Sequence, residues 1–510
     1  LNNLRKLSKP RDDIVLKPTH LTKLACQQRK ATYYLRPLYD EYAYTPQTTN
    51  QNCHHNVFVA ACNRHYCPVP IITPKGKAAY ERAFARLKKL SRKSGVAPGT
   101  IPIWTEDEVL ATRAAAKRKI YADAYASLKI KELDYTDWKV DAFVKFDHGP
   151  MCDCDAKAPR LVQHRSSRYT AAIARFLAPV EKALYTIKFN GLPMFAKGMD
   201  SRSRAKAIVD MSGYQRVLMG LDHSRFDSHC VTELLQLEQR YYMWLHKNNG
   251  ELASLLSRQL TNKVYGPGYK WTAPGGRMSG DFNTSLGNNV INALIYLAWY
   301  EEMGCLDDGY ILLDGDDGVA GLPERITDYK KEILTELGMT TKFDKPVFLP
   351  EQVSFCQTRP VAMTVDGKTQ WRMAGDYRRA ISRMPLTIRR FIGEGWFDYG
   401  RSVALCRAIL GDGLPVLSVL GDALVRHFPG GTRERIGKDA ELHRKIMLEQ
   451  DWRGIAISDQ SRASFAIAYD ISPDEQIRLE ACIAAHDWSA PTRQLRSGIQ
   501  SVVDLLPTEP

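Results

Sequence analysis

Asp316 and Asp317 stand side by side in Tyr310-Ile-Leu-Leu-Asp-Gly-Asp-Asp-Gly-Val-Ala320, where apolar runs flank an Asp-Gly pair and residues 309–321 read as a tight hairpin. Two adjacent carboxylates between apolar strand halves repel each other and lose hydration, so a fold that holds them needs a cation nearby. A divalent metal meets that need most simply. A lone Gly-Asp-Asp is a weak signal, because Asp-Gly turns are common in hairpins. It gains weight from a second acidic pair upstream, Asp222 and Asp227 in Gly220-Leu-Asp-His-Ser-Arg-Phe-Asp227. Between the two pairs stands Ser279-Gly-Asp-Phe-Asn-Thr-Ser-Leu-Gly-Asn288. Residues 217–222 read as a short apolar strand, so Asp222 at its end meets Asp316 at the hairpin turn if the strands are neighbours in one sheet. Paired divalent ions about 3.5–4 Å apart need such carboxylates on rigid elements to carry out in-line phosphoryl displacement.

At 510 residues the chain has room for two or three domains, or for one large subdivided domain. Hydrophobic content of 44% and charged content of 25% are ordinary for a globular protein. The longest apolar stretch, residues 290–300 with Asn292 inside it, is too short to cross a bilayer, and no signal-peptide pattern is read at the opening residues. Leu1 in place of Met is compatible with a processed, read-through or trimmed product. The net charge of +14 concentrates early: residues 1–100 carry 18 Lys and Arg against 5 Asp and Glu. A basic leading segment ahead of a near-neutral body suits a phosphate-rich partner, with a solvated basic face or an anionic-lipid patch as alternatives. The 11 cysteines, spread along the chain, do not suggest a secreted disulfide framework and point to a reducing compartment.

Apolar periodicity predicts helices over 76–94, over 106–129 behind a Thr105 N-cap, over 169–185, from near Asp227 to 246, over 283–303 and over 327–337. Residues 140–165 read as strands and a loop around Pro150 and Pro159, residues 248–276 contain Gly and Pro turns, and residues 345–365 read as a second hairpin. From residue 385 the pattern is mostly helical. This order gives an α+β fold with a small antiparallel sheet at its centre.

The three segments Gly220-Leu-Asp-His-Ser-Arg-Phe-Asp227, Arg277-Met-Ser-Gly-Asp-Phe-Asn-Thr-Ser-Leu-Gly-Asn288 and Gly315-Asp-Asp317 resemble motifs A, B and C of viral RNA-dependent RNA polymerases, in the tombusvirus-like group of plus-strand viruses. Phe195-Ala-Lys-Gly198 precedes motif A as in that family. Lys157-Ala-Pro-Arg-Leu-Val-Gln-His-Arg-Ser-Ser-Arg-Tyr169 resembles motif F, and Phe355-Cys-Gln-Thr-Arg-Pro360 resembles motif E. The resemblance spans residues 143–383. It implies a right-hand polymerase: N-terminal extension and fingers over 1–215, palm over 216–365 with a fingers return near 243–290, and a helical thumb over 366–510. It further implies two-metal nucleotidyl transfer from NTPs to the 3′-hydroxyl of a growing RNA, with Mg²⁺ as cofactor and Mn²⁺ as substitute. The implied partners are RNA template and product, NTPs and other viral replication proteins. The implied location is the host cytoplasm, at replication complexes held on membranes through other factors.

Position by position, the resemblance makes Asp222 and Asp316 the principal metal ligands and Asp317 a weaker or indirect one. It assigns Asp227 and Asn288 to the ribose 2′-hydroxyl of the incoming nucleotide, with Ser279 and Thr284 assisting. A 2′-hydroxyl both donates and accepts, and a carboxylate with an amide satisfies both needs. The plain alternatives are a helix N-cap for Asp227 and a buried helix amide for Asn288. In motif F, Lys157, Arg160, Arg165 and Arg168, with Lys145 on the preceding strand, suit triphosphate oxygens, since guanidinium groups bind bidentately and stay charged. A solvated basic turn is the alternative. Lys342 in Gly338-Met-Thr-Thr-Lys342 matches the motif D lysine that would protonate pyrophosphate, with Lys345 or a plain surface role competing. Gly280 and Gly287 are expected to free the motif B loop through positive φ. Outside the match, Cys53, His54 or His55, Cys62, His65 and Cys67 hold enough ligands for a tetrahedral zinc site, against a reading as loop histidines and small buried thiols. Cys152 and Cys154 fit no motif. Asp227 and Asn288 argue against a reverse transcriptase, which places a bulky aromatic at the sugar. The intact acids argue against a non-catalytic RNA- or zinc-binding protein.

Overall fold

The structure, a computed structural model, describes residues 9–19, 32–34, 38, 45, 47–150, 157–213, 216–383, 386–387, 394–429, 453–488 and 494–495. Its centre is the helix Thr284–Met303, in which every residue from Leu286 to Tyr300 is buried. A helix apolar on all faces is driven into a core, and Gly304, at φ 67, ends it in the left-handed conformation. Pro74–Lys93 packs along it, started by Thr73, whose side chain accepts from the Gly76 N–H. Both helices contribute to one large cluster with Trp299, Tyr300, Phe84 and Leu87.

Beside the central helix lies a four-stranded sheet in the order Tyr310–Asp314, Asp317–Pro323, Arg216–His223, Thr341–Phe343, with every neighbouring pair antiparallel. The α+β class with small sheets is therefore as the sequence predicts. Residues 217–221 are buried without a break, as befits a strand covered on both faces. A second sheet has five strands, in the order Lys17–Pro18, Tyr269–Pro274, Thr261–Gly266, Val140–Val144, Leu161–His164.

Several elements differ from the sequence reading. Residues 248–276, where the sequence shows Gly and Pro turns and no element is assigned, form the helix Gly250–Ser257 and the hairpin of Thr261–Gly266 with Tyr269–Pro274. Its strands alternate buried and exposed residues, but polar Thr261, Asn262 and Lys263 hide the period. The single helix expected over 106–129 is two, Glu106–Ala111 and Ala115–Ile130. At the break Arg113 lies over the rings of Tyr121 and Phe282, at 5.3 and 5.1 Å. Asp227 belongs to a short separate helix, Phe226–His229, ahead of Thr232–Leu245. The amphipathic helix near 327–337 is confined to Glu332–Glu336. The second hairpin pairs Thr358–Val365 with Lys368–Gly375, later than expected, because the Asp366-Gly367 turn sets it while Pro346 and Pro350 interrupt the preceding segment. The helices Glu394–Gly411, Leu417–His427, Asp459–Tyr469 and Pro473–Ala485 follow, and all four contribute to a buried cluster around Leu420, Phe465 and Trp488. Among the described residues no helix is long and apolar enough to cross a membrane.

Candidate active site

Antiparallel register brings the acidic segments together. Gly318 pairs with Leu221 and Asp314 with Asp317, which sets Asp222 and Asp317 at neighbouring ends of adjacent strands. Gly315, at φ +74, closes the hairpin in a conformation that only a residue without Cβ takes readily. Two asparagines of the central helix grip this turn. Asn289 Oδ1 accepts from the Gly315 N–H at 2.9 Å, and Asn292 Nδ2 donates to the carbonyls of Gly315 and Asp316 at 3.1 and 3.2 Å. Neither was singled out from sequence as functional. Their signal was polar residues spaced three apart on an otherwise apolar buried helix.

The side chains of Asp222, Asp316 and Asp317 open to solvent, while the surrounding protein displaces much of the water around the hairpin pair. Burial raises the Asp316 carboxyl, with Asp222 adding to the rise and Arg160 and Arg64 opposing it. Burial, then the charges of Asp316 and Asp314, push Asp317 up to about 6. Asp227 also rises to about 6, through burial and the charge of Asp316, opposed by Arg277 and by a hydrogen bond from Asn288. Asn288 is itself fixed, its Oδ1 accepting from Arg277 Nε at 2.9 Å. Behind it, Arg277 forms a buried ion pair with Glu238, and Glu238 Oε1 accepts from Tyr242 at 2.8 Å and Asn283 at 2.7 Å. Asp227 and Asn288 are thus one unit on a rigid backing.

Motif B departs from expectation in detail. Ser279 Oγ donates to Leu161 O at 2.9 Å, and Thr284 Oγ1 donates to the carbonyls of Met278 and Asp281 at 3.0 and 2.9 Å. Both hydroxyls fasten the loop and do not reach out from it. Gly280 and Gly287 have no positive φ; a Cβ on either would collide, with His164 and Gln163 or with Glu238 and Arg277. Close packing, not backbone freedom, requires them. Lys342 pairs in register with Asp222 across the edge of the sheet.

Arg160 and Lys145 share Asp147, at 2.7 and 3.2 Å, and Lys157 is exposed nearby in the chain. Arg165 and Arg168 are corrected to structural roles. Arg165, fully buried, pairs with Asp281 at 2.9 Å and donates to Trp138 O and Asn262. Arg168 pairs with Asp137 at 3.1 Å and donates to Ser127 and to the carbonyls of Lys131 and Glu132. Every nitrogen of both guanidiniums donates to a protein acceptor.

Nor do the described residues assemble the expected zinc cage. Among the described residues no group of three or more His, Cys, Asp or Glu side chains is placed to hold a metal ion, in this segment or among the aspartates. His65 Nε2 accepts from the Leu161 N–H at 2.9 Å, Cys67 lies 3.7 Å from Ser228 Oγ, and Cys62 is packed in the core. Cys53 caps the helix His54–Ala60, which carries His55. This segment has a different use: its π-helical turn, Ala61–His65, carries Arg64 into the field of Asp227 and Arg160. The turn is pinned by His65 and by the Tyr66 hydroxyl, which donates to Gln163. Neither the Arg64 nor the Arg225 guanidinium has a hydrogen-bond or ion-pair partner among the described residues, although Arg64 is repelled by both Arg160 and Arg225. The sequence reading missed both. Cys152 and Cys154 lie outside the described residues.

This geometry coincides with a family match. The profile described as viral RNA dependent RNA polymerase covers residues 28–490. The chain belongs to that family. It is 30% identical over 414 residues to the RNA-directed RNA polymerase of Red clover necrotic mosaic virus, covering 76% of this chain and 51% of the relative. Against that of Maize chlorotic mottle virus it is 30% identical over 395 residues, 74% of this chain and 40% of the relative. Against that of Tomato bushy stunt virus (strain Cherry) it is 29% identical over 435 residues, 79% and 49%. The tombusvirus-like resemblance is upheld by these viral RNA polymerase relatives. The chain spans about half the length of the curated relatives it matches.

In this polymerase-family site, raised carboxyls make ionisation unfavourable to the fold as pH climbs through about 6, a cost relieved below their ordinary value of 3.8. A divalent cation bound to these carboxylates would relieve it at higher pH. The rise in melting temperature given by Mg²⁺ or Mn²⁺ should therefore be small near pH 5 and grow through about pH 6, and Asp317→Asn should lose most of that growth. Thermal melts across pH, with and without the ion, check this; a cation effect independent of pH contradicts it.

Proposed function

We propose that the chain is the catalytic part of an RNA-dependent RNA polymerase, which replicates viral RNA by adding nucleotides from NTPs to the 3′-hydroxyl of the growing strand. The observation that carries this reading is the meeting of Asp222 on the central strand with Asp316 and Asp317 on the adjacent hairpin, beside the joined pair Asp227 and Asn288. The donor set suits Mg²⁺ or Mn²⁺: hard carboxylate oxygens open to solvent, with positions left for water and substrate phosphates. Bound to Asp222 and Asp316, with Asp317 close by, a pair of such cations would activate the 3′-hydroxyl and neutralise the leaving pyrophosphate.

The remaining work falls to the chain itself. Asn289 and Asn292 hold the turn so that its carboxylates need not reorganise. Asp227 accepts from the ribose 2′-hydroxyl, and Asn288, oriented by Arg277, completes the sensing pair. Ser279 and Thr284 act indirectly, by shaping the loop that presents Asn288. Arg160, Lys157 and Lys145 bind the triphosphate, joined by Arg64 and Arg225, whose mutual repulsion is relieved by a bound polyanion. Lys342, opposite Asp222, serves as proton donor to pyrophosphate.

We assign fingers to residues 1–215 with a return near 243–290, which accords with the pairing of Thr261–Gly266 to Val140–Val144. Palm follows over 216–242 and 291–375, since the hairpin of Thr358–Val365 with Lys368–Gly375 should not be divided, and the helical thumb comes after it. RNA template and product, NTPs and other viral replication proteins are the proposed partners. The proposed location is the host cytoplasm, at membrane-associated replication complexes.

A gel assay with a defined RNA template, four NTPs and Mg²⁺, run with and without primer, tests the reading. Asp222→Ala and Asp316→Ala should each lower incorporation by at least about 10²–10³-fold, the scale of removing one transition-state contact, while RNA binding persists. Extension by both variants at the wild-type rate refutes the mechanism. Asn288→Ala or Asp227→Ala should narrow the preference for ribonucleotides over deoxynucleotides by about 10–100-fold, the worth of a charged hydrogen bond. Unchanged discrimination in both removes the sugar-sensing role. Arg64→Gln and Arg160→Gln should each raise the KM for NTP about tenfold or more with little effect on RNA affinity. Steady-state kinetics decide this, and an unmoved KM assigns those guanidiniums elsewhere.

A further inference from the structure

The metal-site turn carries a third acid that the reaction does not use. Asp314 pairs across the hairpin with Asp317, so an unrestrained carboxylate there would offer a cation a competing seat on the far side of Asp317 from Asp222. Two cations restrain it. Arg204, on the helix Ser201–Met211, places Nη2 2.6 Å from Asp314 Oδ2, and Lys197 Nζ lies 3.6 Å from Oδ1. The Arg204 fork is fully committed: Nε donates to Met199 O at 3.3 Å and Nη1 to Cys356 Sγ at 3.5 Å. Cys356, in a turn where it and Gln357 both have positive φ, lies 3.8 Å from the same Asp314 oxygen. One planar group thus ties the hairpin to the following segment, a geometry the single point charge of lysine does not reproduce.

We propose that Arg204, seconded by Lys197, is a positioning residue that sequesters Asp314 and so confines the divalent cations to Asp222, Asp316 and Asp317. The inference rests on the polymerase reading above. It predicts a paradox that simple structural support does not: loss of the clamp should tighten metal binding while harming catalysis. The test titrates Mn²⁺ into the full chain by electron paramagnetic resonance, without RNA or NTP, alongside the template assay. Arg204→Gln should bind Mn²⁺ about threefold to tenfold more tightly, since a nearby positive charge is lost and a carboxylate released, yet incorporate nucleotide several-fold more slowly. Adding Asp314→Asn should return both quantities towards wild type. Lys197→Gln, with the weaker contact, should shift affinity the same way by less, and serves if Arg204→Gln does not fold. Equal or weaker Mn²⁺ affinity in a folded clamp variant, or failure of Asp314→Asn to reverse the change, overturns the proposal. A wild-type chain that polymerises normally while the variants show no such shift defeats the clamp alone; a wild-type chain that neither binds Mn²⁺ nor polymerises defeats the function reading and the clamp with it.

Discussion

Burial and mutual repulsion of a few carboxylates are the constraint around which this fold is organised. Asp222, Asp316 and Asp317 are held at neighbouring ends of adjacent strands, with Asp227 close enough to feel Asp316, although burial and then nearby carboxylate charge make Asp227, Asp316 and Asp317 harder to ionise. Such an arrangement persists only where the backbone beneath it is over-determined. Here the restraint comes from below: Asn289 and Asn292 project from a helix buried along nearly its whole length and close the hydrogen bonds of the turn. Core and chemistry are joined through two amide side chains.

The same logic extends sideways. The buried pair of Arg277 and Glu238 is a poor source of net stability, because both charges give up hydration. Its value is orientation, since Arg277 fixes which face of the Asn288 amide meets Asp227. Gly287 leaves the space in which that ion pair sits. The guanidiniums fall into two classes. Arg165 and Arg168 are engaged by carboxylates and carbonyls and act as braces, whereas Arg64, in the field of Asp227, and Arg225 meet no acceptor among the described residues. Identical side chains thus divide between scaffold and site by what surrounds them.

That division marks the limit of what the sequence could disclose. The hairpin at Tyr310–Asp314 and the helix Thr284–Met303 were legible because turn chemistry, apolar period and length all agree. Asp222, Asp316 and Asp317 were legible as a set because their order and spacing carry more than any one motif. The hairpin of Thr261–Gly266 with Tyr269–Pro274 was not, since polar residues stand at buried positions such as Asn262, and only tertiary contact with Arg165 explains them. Nor could spacing show that His65 is satisfied by a backbone N–H, which makes its Cys and His neighbours a support for Arg64 and not a zinc cage. One-dimensional patterns name the groups available. They do not say which are already spoken for.

The central claim is spatial, and cleavage directed by a bound ion tests it most directly. Fe²⁺ substituted for Mg²⁺ in the full chain, with ascorbate and peroxide, generates hydroxyl radicals that cut backbone beside the ion. The account predicts two principal sets of cuts, one near residues 222–227 and one near 315–317, both suppressed by excess Mg²⁺. Cuts confined to one of those segments, or falling mainly in the Cys and His segment 53–67, would contradict it.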